Sequence, residues 1–165
     1  MKGWITVAML VVSLAASGCG GSDADVAGNY TIALTNGDNG CNLANFTTGN
    51  QTTGVSAVAT QSGSQVTLTI GGLAAVALDG LLGAGKNVFA GTVSGDSLGV
   101  DSIGTKSNTS GNCTYTYNAH ILGTLDGDVL RGRIEYRAAD NGNSDCTQVH
   151  GCLTFQDYNG TRPPQ

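Results

Sequence analysis

Two kinds of hydrophobic pattern divide the chain. From Trp4 to Ala16 the positions are apolar, interrupted only by Thr6 and Ser13. Beyond them, apolar and polar residues alternate in short runs separated by Gly, Asn, Asp and Ser. Alternation with period two reads as strands with one buried face, and the punctuation reads as turns. The pattern predicts strands over 29–34, 55–60 and 65–70 (flanking Ser62-Gly63-Ser64), 88–93 and 98–103 (flanking Ser94-Gly95-Asp96-Ser97), and 149–155. The strongest segment is 113–138, where Asp126-Gly127 is a type I′ hairpin signal. Folding there predicts Leu125 opposite Asp128, Ile121 opposite Gly132, Ala119 opposite Ile134 and Tyr117 opposite Tyr136. One face then carries Tyr115, Tyr117, Ala119, Ile121, Ile134 and Tyr136. The other carries Thr116, Asn118, His120, Arg131, Arg133, Glu135 and Arg137, with His120 facing Arg133. Residues 72–85 fit a strand, a short helix across a barrel mouth, or a loop. Short strands without alternating helices define an all-β fold, an antiparallel meander closed as an up-and-down β-barrel, with a β-sandwich as the alternative.

The apolar run of 4–16 is shorter than the roughly 20 residues a spanning helix needs, and suits a secretory leader. Ala15, Ala16, Ser17 and Gly18 follow it, and then Cys19. With the box Ala16-Ser17-Gly18-Cys19, the chain resembles a bacterial lipoprotein precursor, although Leu14 stands two places earlier than that family prefers. The resemblance implies a leader over 1–18 and a fatty-acylated diacylglycerol thioether on Cys19; the small and polar residues that follow read as a flexible tether over 19–27, and the strand pattern beyond as a single β domain over 28–165. It also implies a membrane partner through the lipid, and Gly20 in place of Asp points to the outer membrane or cell surface. Ordinary secretion into the periplasm or medium, after cleavage near Gly18, is the alternative.

Loss of Lys2 with the leader moves the formal charge from −5 to −6, which disfavours nucleic acid as a partner. Assigning Cys19 to lipid leaves Cys41, Cys113, Cys146 and Cys152, an even number in an exported chain and hence two disulfides. Three pairings are open. Turn-rich sequence and Gly151 favour Cys146–Cys152, which leaves Cys41–Cys113.

Candidate chemistry is sparse. Gly95-Asp96-Ser97-Leu98 resembles the nucleophile block of GDSL-type esterases, in which the serine opens a helix. Here the next residues alternate like a strand, and His150 lacks the acid three residues earlier that the family uses. His120 and His150 show no metal-ligand spacing, the acidic turns lack the EF-hand order, and no cofactor motif occurs. Gly28-Asn29-Tyr30 resembles the Gly-x-Trp opening of lipocalins, with a late arginine such as Arg137 in the packing role. A barrel binding a small apolar ligand would line its cavity with Tyr115, Tyr117, Ile134 and Tyr136. The leading expectation is a lipid-anchored surface or envelope protein of structural or unknown role, without catalysis. A lipocalin-like binder ranks second and a GDSL-type esterase third.

Overall fold

In the computed structural model, which describes residues 22–164, the period-two runs become nine strands and one helix. They are β1 (Gly28–Asn39), β2 (Gln51–Ser62), β3 (Gln65–Ile70), α1 (Gly72–Leu82), β4 (Val88–Ser94), β5 (Ser97–Ser102), β6 (Asn108–Ser110), β7 (Cys113–Asp126), β8 (Val129–Asp140) and β9 (Leu153–Thr161). The leader and Cys19 lie outside the described residues.

All pairings are antiparallel between chain neighbours, with two exceptions. β5 passes over the short β6 to pair with β7, and β9 returns to β1. The result is a closed eight-stranded antiparallel barrel, with β6 appended to the start of β7. Closure removes free sheet edges from the barrel wall. Inward positions alternate along each strand. Tyr30, Ile32 and Leu34 on β1 meet Val55, Ala57 and Ala59 on β2, and Phe89 and Val93 on β4 meet Leu98 and Val100 on β5. Glycine lets the walls close where a side chain would collide. A Cβ on Gly132 would lie 1.9 Å from the Leu122 carbonyl oxygen.

The central hairpin keeps both expected faces but shifts its pairing. Asp126 pairs with Val129, so the loop is Gly127-Asp128, and Leu125 faces Leu130, Ile121 faces Ile134 and Ala119 faces Tyr136. Gly127 has φ +58° in the first loop position, the place a Gly-x turn requires it, rather than in the second. Gly63 and Gly95 open the β2–β3 and β4–β5 turns in the same way, with φ +59° and +60°. His120 consequently faces Glu135, not Arg133.

The last strand begins at Leu153, beyond the expected 149–155, because 149–151 lie in the turn that leads into it. It extends through Tyr158 and Gly160, paired with β1 and β8 on either side. Residues 72–82 form a helix at one mouth of the barrel. It buries Leu78 and Leu82 while leaving Leu73 and Val76 89% and 67% exposed.

The disulfides are Cys41–Cys152 and Cys113–Cys146, not the expected pairs. Barrel closure explains the first. β1 and β9 are adjacent, Asn39 pairs with Thr154, and Gly40 N–H donates to the Leu153 carbonyl at 3.1 Å. Cys41 just after one strand and Cys152 just before the other therefore stand 5.0 Å apart between Cα atoms. The second bond ties the start of β7 to a 3₁₀ turn at Ser144–Cys146, where Asp145 accepts from Asn112 N–H at 2.9 Å.

Candidate functional site

The two mouths of the barrel are built differently. One carries the tight turns after β2, β4 and β7, together with both ends of the barrel chain, Gly28 and Thr161. The other carries the long β1–β2 connection, α1, β6 and the disulfide-tied 141–152 excursion.

The segment before β1 straps the tight-turn mouth. Asp23 Oδ1 accepts from Gly95 N–H at 3.0 Å, Ala24 N–H donates to the Gly95 carbonyl at 2.7 Å, and Val26 N–H donates to Gln61 Oε1 at 2.8 Å. Val26 is fully buried, so it plugs this end. The part of the expected flexible tether from Asp23 to Ala27 is thus pinned to the barrel. Arg162, just past β9, completes the lock. Its guanidinium pairs with Asp128 at 3.2 Å, donates to the Asp25 carbonyl at 2.8 Å and also to that of Ala27, and lies 5.8 Å from the Tyr30 ring centroid. Tyr30 donates in turn to the Val26 carbonyl at 3.0 Å. The arginine packing against the Gly28-Asn29-Tyr30 opening is therefore Arg162. Arg137, the expected candidate, lies on the outer wall bound to Glu135 at 2.9 Å.

The expected ligand-lining residues do turn inward together. Tyr117, Ile134 and Tyr136 are buried in the core, with Tyr115 half-buried against it and edge-on to Tyr117 at 5.5 Å. They are occupied with the protein itself. Tyr136 donates to Gln156 Oε1 at 2.8 Å and Tyr117 to the Cys41 carbonyl at 3.4 Å, and burial pushes the Tyr117 phenol up to about 12. None of the four lines either of two open concavities found among the described residues. Among the described residues, one buried side-chain polar atom has no hydrogen-bond partner: the Tyr158 hydroxyl, which lies close to Gly123.

Ser97 stands at the first position of a strand, not at a helix N-terminus, and its hydroxyl donates to Asp96 at 3.3 Å. Its cross-strand partner is Thr124. The histidines are engaged elsewhere: His120 with Asp101 at 2.5 Å on the outer wall, and His150 with Asp140 at 3.0 Å on the 141–152 excursion. The Asp140 carboxyl is held below its ordinary value first by the Gly142 N–H and then by His150. Among the described residues no cluster of three or more His, Cys, Asp or Glu side chains is placed to hold a metal ion. No helix among them is long and apolar enough to cross a membrane.

The larger concavity, about 430 Å³, is open and lies on the outer wall where β5, β7, β8 and β9 meet. Composition and spacing gave no sign of it, because it arises from cross-strand register. Ser97, Thr124, Arg131 and Asn159 form one exterior row, and Gly99, Leu122, Arg133 and Asp157 the next. A smaller concavity of about 310 Å³ lies on the 141–152 excursion beside His150.

No protein-family model matches this chain, nor does any curated protein. Among solved structures, that of EF1p2_mFAP2b bound to DFHBI is similar over 83% of this chain and 93% of that chain, with 11% sequence identity and a TM-score of 0.38.

Proposed function

We propose that the chain is an exported, lipid-anchored envelope barrel that acts as a rigid surface scaffold. The observation supporting this reading is the cysteine pairing. Cys41, Cys113, Cys146 and Cys152 bond with one another, which leaves Cys19, at the end of the lipobox-like run, with no cysteine partner in the chain. Two structural disulfides suit an oxidising compartment outside the cytoplasm. Asp23, hydrogen-bonded at the tight-turn mouth, stands four chain steps after Cys19. Those steps span at most about 14 Å. An acyl group on Cys19 would thus hold the tight-turn mouth against the bilayer and turn α1 and the disulfide-tied loops outward.

The interior favours a scaffold over a container. A small apolar ligand among Tyr115, Tyr117, Ile134 and Tyr136 would have to displace side chains that pack into the core, two of them hydrogen-bonded to Gln156 and the Cys41 carbonyl. Retention of such a ligand in native mass spectrometry of protein from its own host would reverse this order. Catalysis at Ser97 ranks last, since among the described residues its hydroxyl bonds to Asp96 and to no histidine base. The test of the anchor is metabolic labelling with an alkyne fatty acid. The parent chain should be labelled and Cys19→Ala should not, and equal labelling would refute the anchor.

A further inference from the structure

The helix α1 shows solvent a face that surface helices normally keep polar. Its exposed positions are Leu73, Val76, Ala77 and Gly80, spaced i, i+3, i+4 and i+7 and therefore aligned in one stripe. The buried side is apolar as well, through Leu78 and Leu82, so packing on the barrel does not account for the outer stripe.

The wall beneath it continues the pattern. α1 joins β3 to β4, and Val58 and Val88 flank Thr69 in one exterior row next to that rim. The β4–β5 register, carried past the pair of Ala90 with Asp101, brings Ile103 beside Val88. Among the described residues, the exposed large apolar side chains are Leu73, Val76, Val58, Val88 and Ile103, together with Leu122 toward the other mouth.

Charge is missing from the same sector. Of residues 51–94 only Asp79 and Lys86 are charged, they are opposite in sign, and Asp79 Oδ1 accepts from the Lys86 backbone N–H at 3.0 Å. The formal charge of −5 therefore resides wholly on the rest of the chain. Two copies repel each other overall, but not where neutral wall meets neutral wall. Apolar surface depleted of charge is also what forms the centre of protein interfaces.

The stripe fits itself. Leu73 and Gly80 stand symmetrically about its centre, about 10 Å apart along the axis, with Val76 and Ala77 between them. A second copy turned about a two-fold axis through that centre sets each Leu73 against the other's Gly80, and each Val76 against the other's Ala77. Large then meets small at every contact, which lets the helices approach closely. A Cβ on Gly80 would touch nothing within 4 Å, so the hollow is open to receive the leucine. The two helix dipoles run in opposite directions, which is the favourable arrangement.

From these features we infer that α1 is a homotypic docking surface, on which a second copy of this chain packs its own α1 antiparallel, with Val58, Val88 and Ile103 at the margin. The helix is 11 residues long, so the contact belongs to the small, transient class of interfaces. It stands whether or not Cys19 is acylated, since it uses only described residues.

The test is photo-cross-linking of the full chain in its own host cells, with Leu73→p-benzoylphenylalanine on the stripe. Asn159→p-benzoylphenylalanine, exposed on β9 beside Arg131, is the control. Products are separated on denaturing gels and linked peptides are mapped by mass. The expected result is a product of doubled mass at Leu73, joining it to residues 72–82 of a second copy, and little at Asn159. Two variants at exposed positions probe the fit. Val76→Lys places like charges together at the two-fold axis and should lower the product about tenfold or more. Gly80→Leu fills the hollow and should lower it likewise, while raising the unfolding midpoint, since leucine suits a helix better than glycine. That opposite movement separates loss of docking from loss of fold. Equal doubled products at both positions, absence of any adduct, or adducts at Leu73 mainly to lipid, to residues 1–21 or to another protein would each overturn the inference. Undiminished product from Val76→Lys or Gly80→Leu would do the same. A lowered midpoint in Gly80→Leu would mean that Gly80 does not face open space, and would overturn it too.

Discussion

The Tyr158 hydroxyl offers a sharp test of how the barrel interior is packed. It is buried without a hydrogen-bond partner, and burial keeps the phenol protonated by pushing its pKa well above the ordinary value. The ring lies across two paired glycines. Tyr158 pairs with Gly132, Gly132 pairs with Gly123, and a Cβ on Gly123 would come 2.1 Å from the hydroxyl oxygen. Tyr158→Phe removes the orphaned group and keeps the ring, so it should stabilise the protein by about 1 kcal/mol. Gly123→Ala should cost about 2 kcal/mol, because the methyl meets that oxygen in a wall with no slack. In the Tyr158→Phe background the oxygen is gone and the nearest remaining atoms, the Arg131 carbonyl and a Leu130 methyl, lie 3.3 Å away. The cost of Gly123→Ala should then fall below about 1 kcal/mol, a coupling of more than about 1 kcal/mol. Urea unfolding of the four proteins with disulfides intact measures each quantity. A Tyr158→Phe protein less stable than its parent would mean that the hydroxyl has a partner. Additive costs would mean that it does not face Gly123.

Three further outcomes follow from the geometry. Replacing Cys41 and Cys152 together by Ala opens a link across 111 residues and should cost about 4–5 kcal/mol, against about 3–4 for Cys113 with Cys146 across 33, both in the chain-entropy treatment. Denaturant midpoints that reverse this order, or peptide mapping that joins Cys41 to Cys113, would contradict the pairing. Gly127→Val forces a β-branched residue to φ +58° and should destabilise by more than about 1 kcal/mol, whereas unchanged stability would remove Gly127 from the first turn position. Asp140, whose carboxyl is held below the ordinary aspartate value, contributes stability above that ordinary value and loses it as pH falls through the lowered one. Asp140→Asn should therefore make acid unfolding less steep, and an unchanged acid transition would show that the Gly142 and His150 contacts do not matter to folding.

What the sequence made legible was alternation, and alternation determines faces. Tyr117, Ala119, Ile121, Ile134 and Tyr136 were all assignable to the interior, and all are buried. Alternation does not determine partners. A two-residue slip leaves every side chain on its own face, so the pattern could not separate the expected hairpin register from the one that forms. The turn chemistry held the information: glycine first in Gly63-Ser64, Gly95-Asp96 and Gly127-Asp128, each with φ near +60°. The disulfides failed for a related reason. Judged by local loop closure, Cys146 and Cys152 look like a pair; judged by barrel closure, which makes the first and last strands neighbours, Cys41 and Cys152 do. The outer concavity was illegible because its row joins Ser97, Thr124, Arg131 and Asn159 across four strands, and only the true register aligns them. Arg162 was missed because it follows Gly160-Thr161, where a strand reading that stopped at residue 155 had no reason to look.

The contrast between the two mouths connects these features to the proposed role. Two-residue turns are enough to join antiparallel strands, so the long connections at the opposite mouth are not needed for the barrel to close. They are held by both disulfides and by α1, whose last carbonyl, that of Leu82, accepts from both Thr105 and Lys106 N–H at 2.7 and 2.9 Å. Constraint at that mouth preserves the shape of an elaborated surface, with Leu73 and Val76 presented on it. At the tight-turn mouth the Asp23–Ala27 strap, Val26 and Arg162 bind the N-terminal chain to three successive turns. A pull on the N-terminus is thereby shared by β2, β4, β8 and β9 rather than concentrated on the first pair of β1. That load-sharing is of little use to a freely diffusing barrel. For one held at Cys19, it keeps the anchor from peeling β1 out of the sheet.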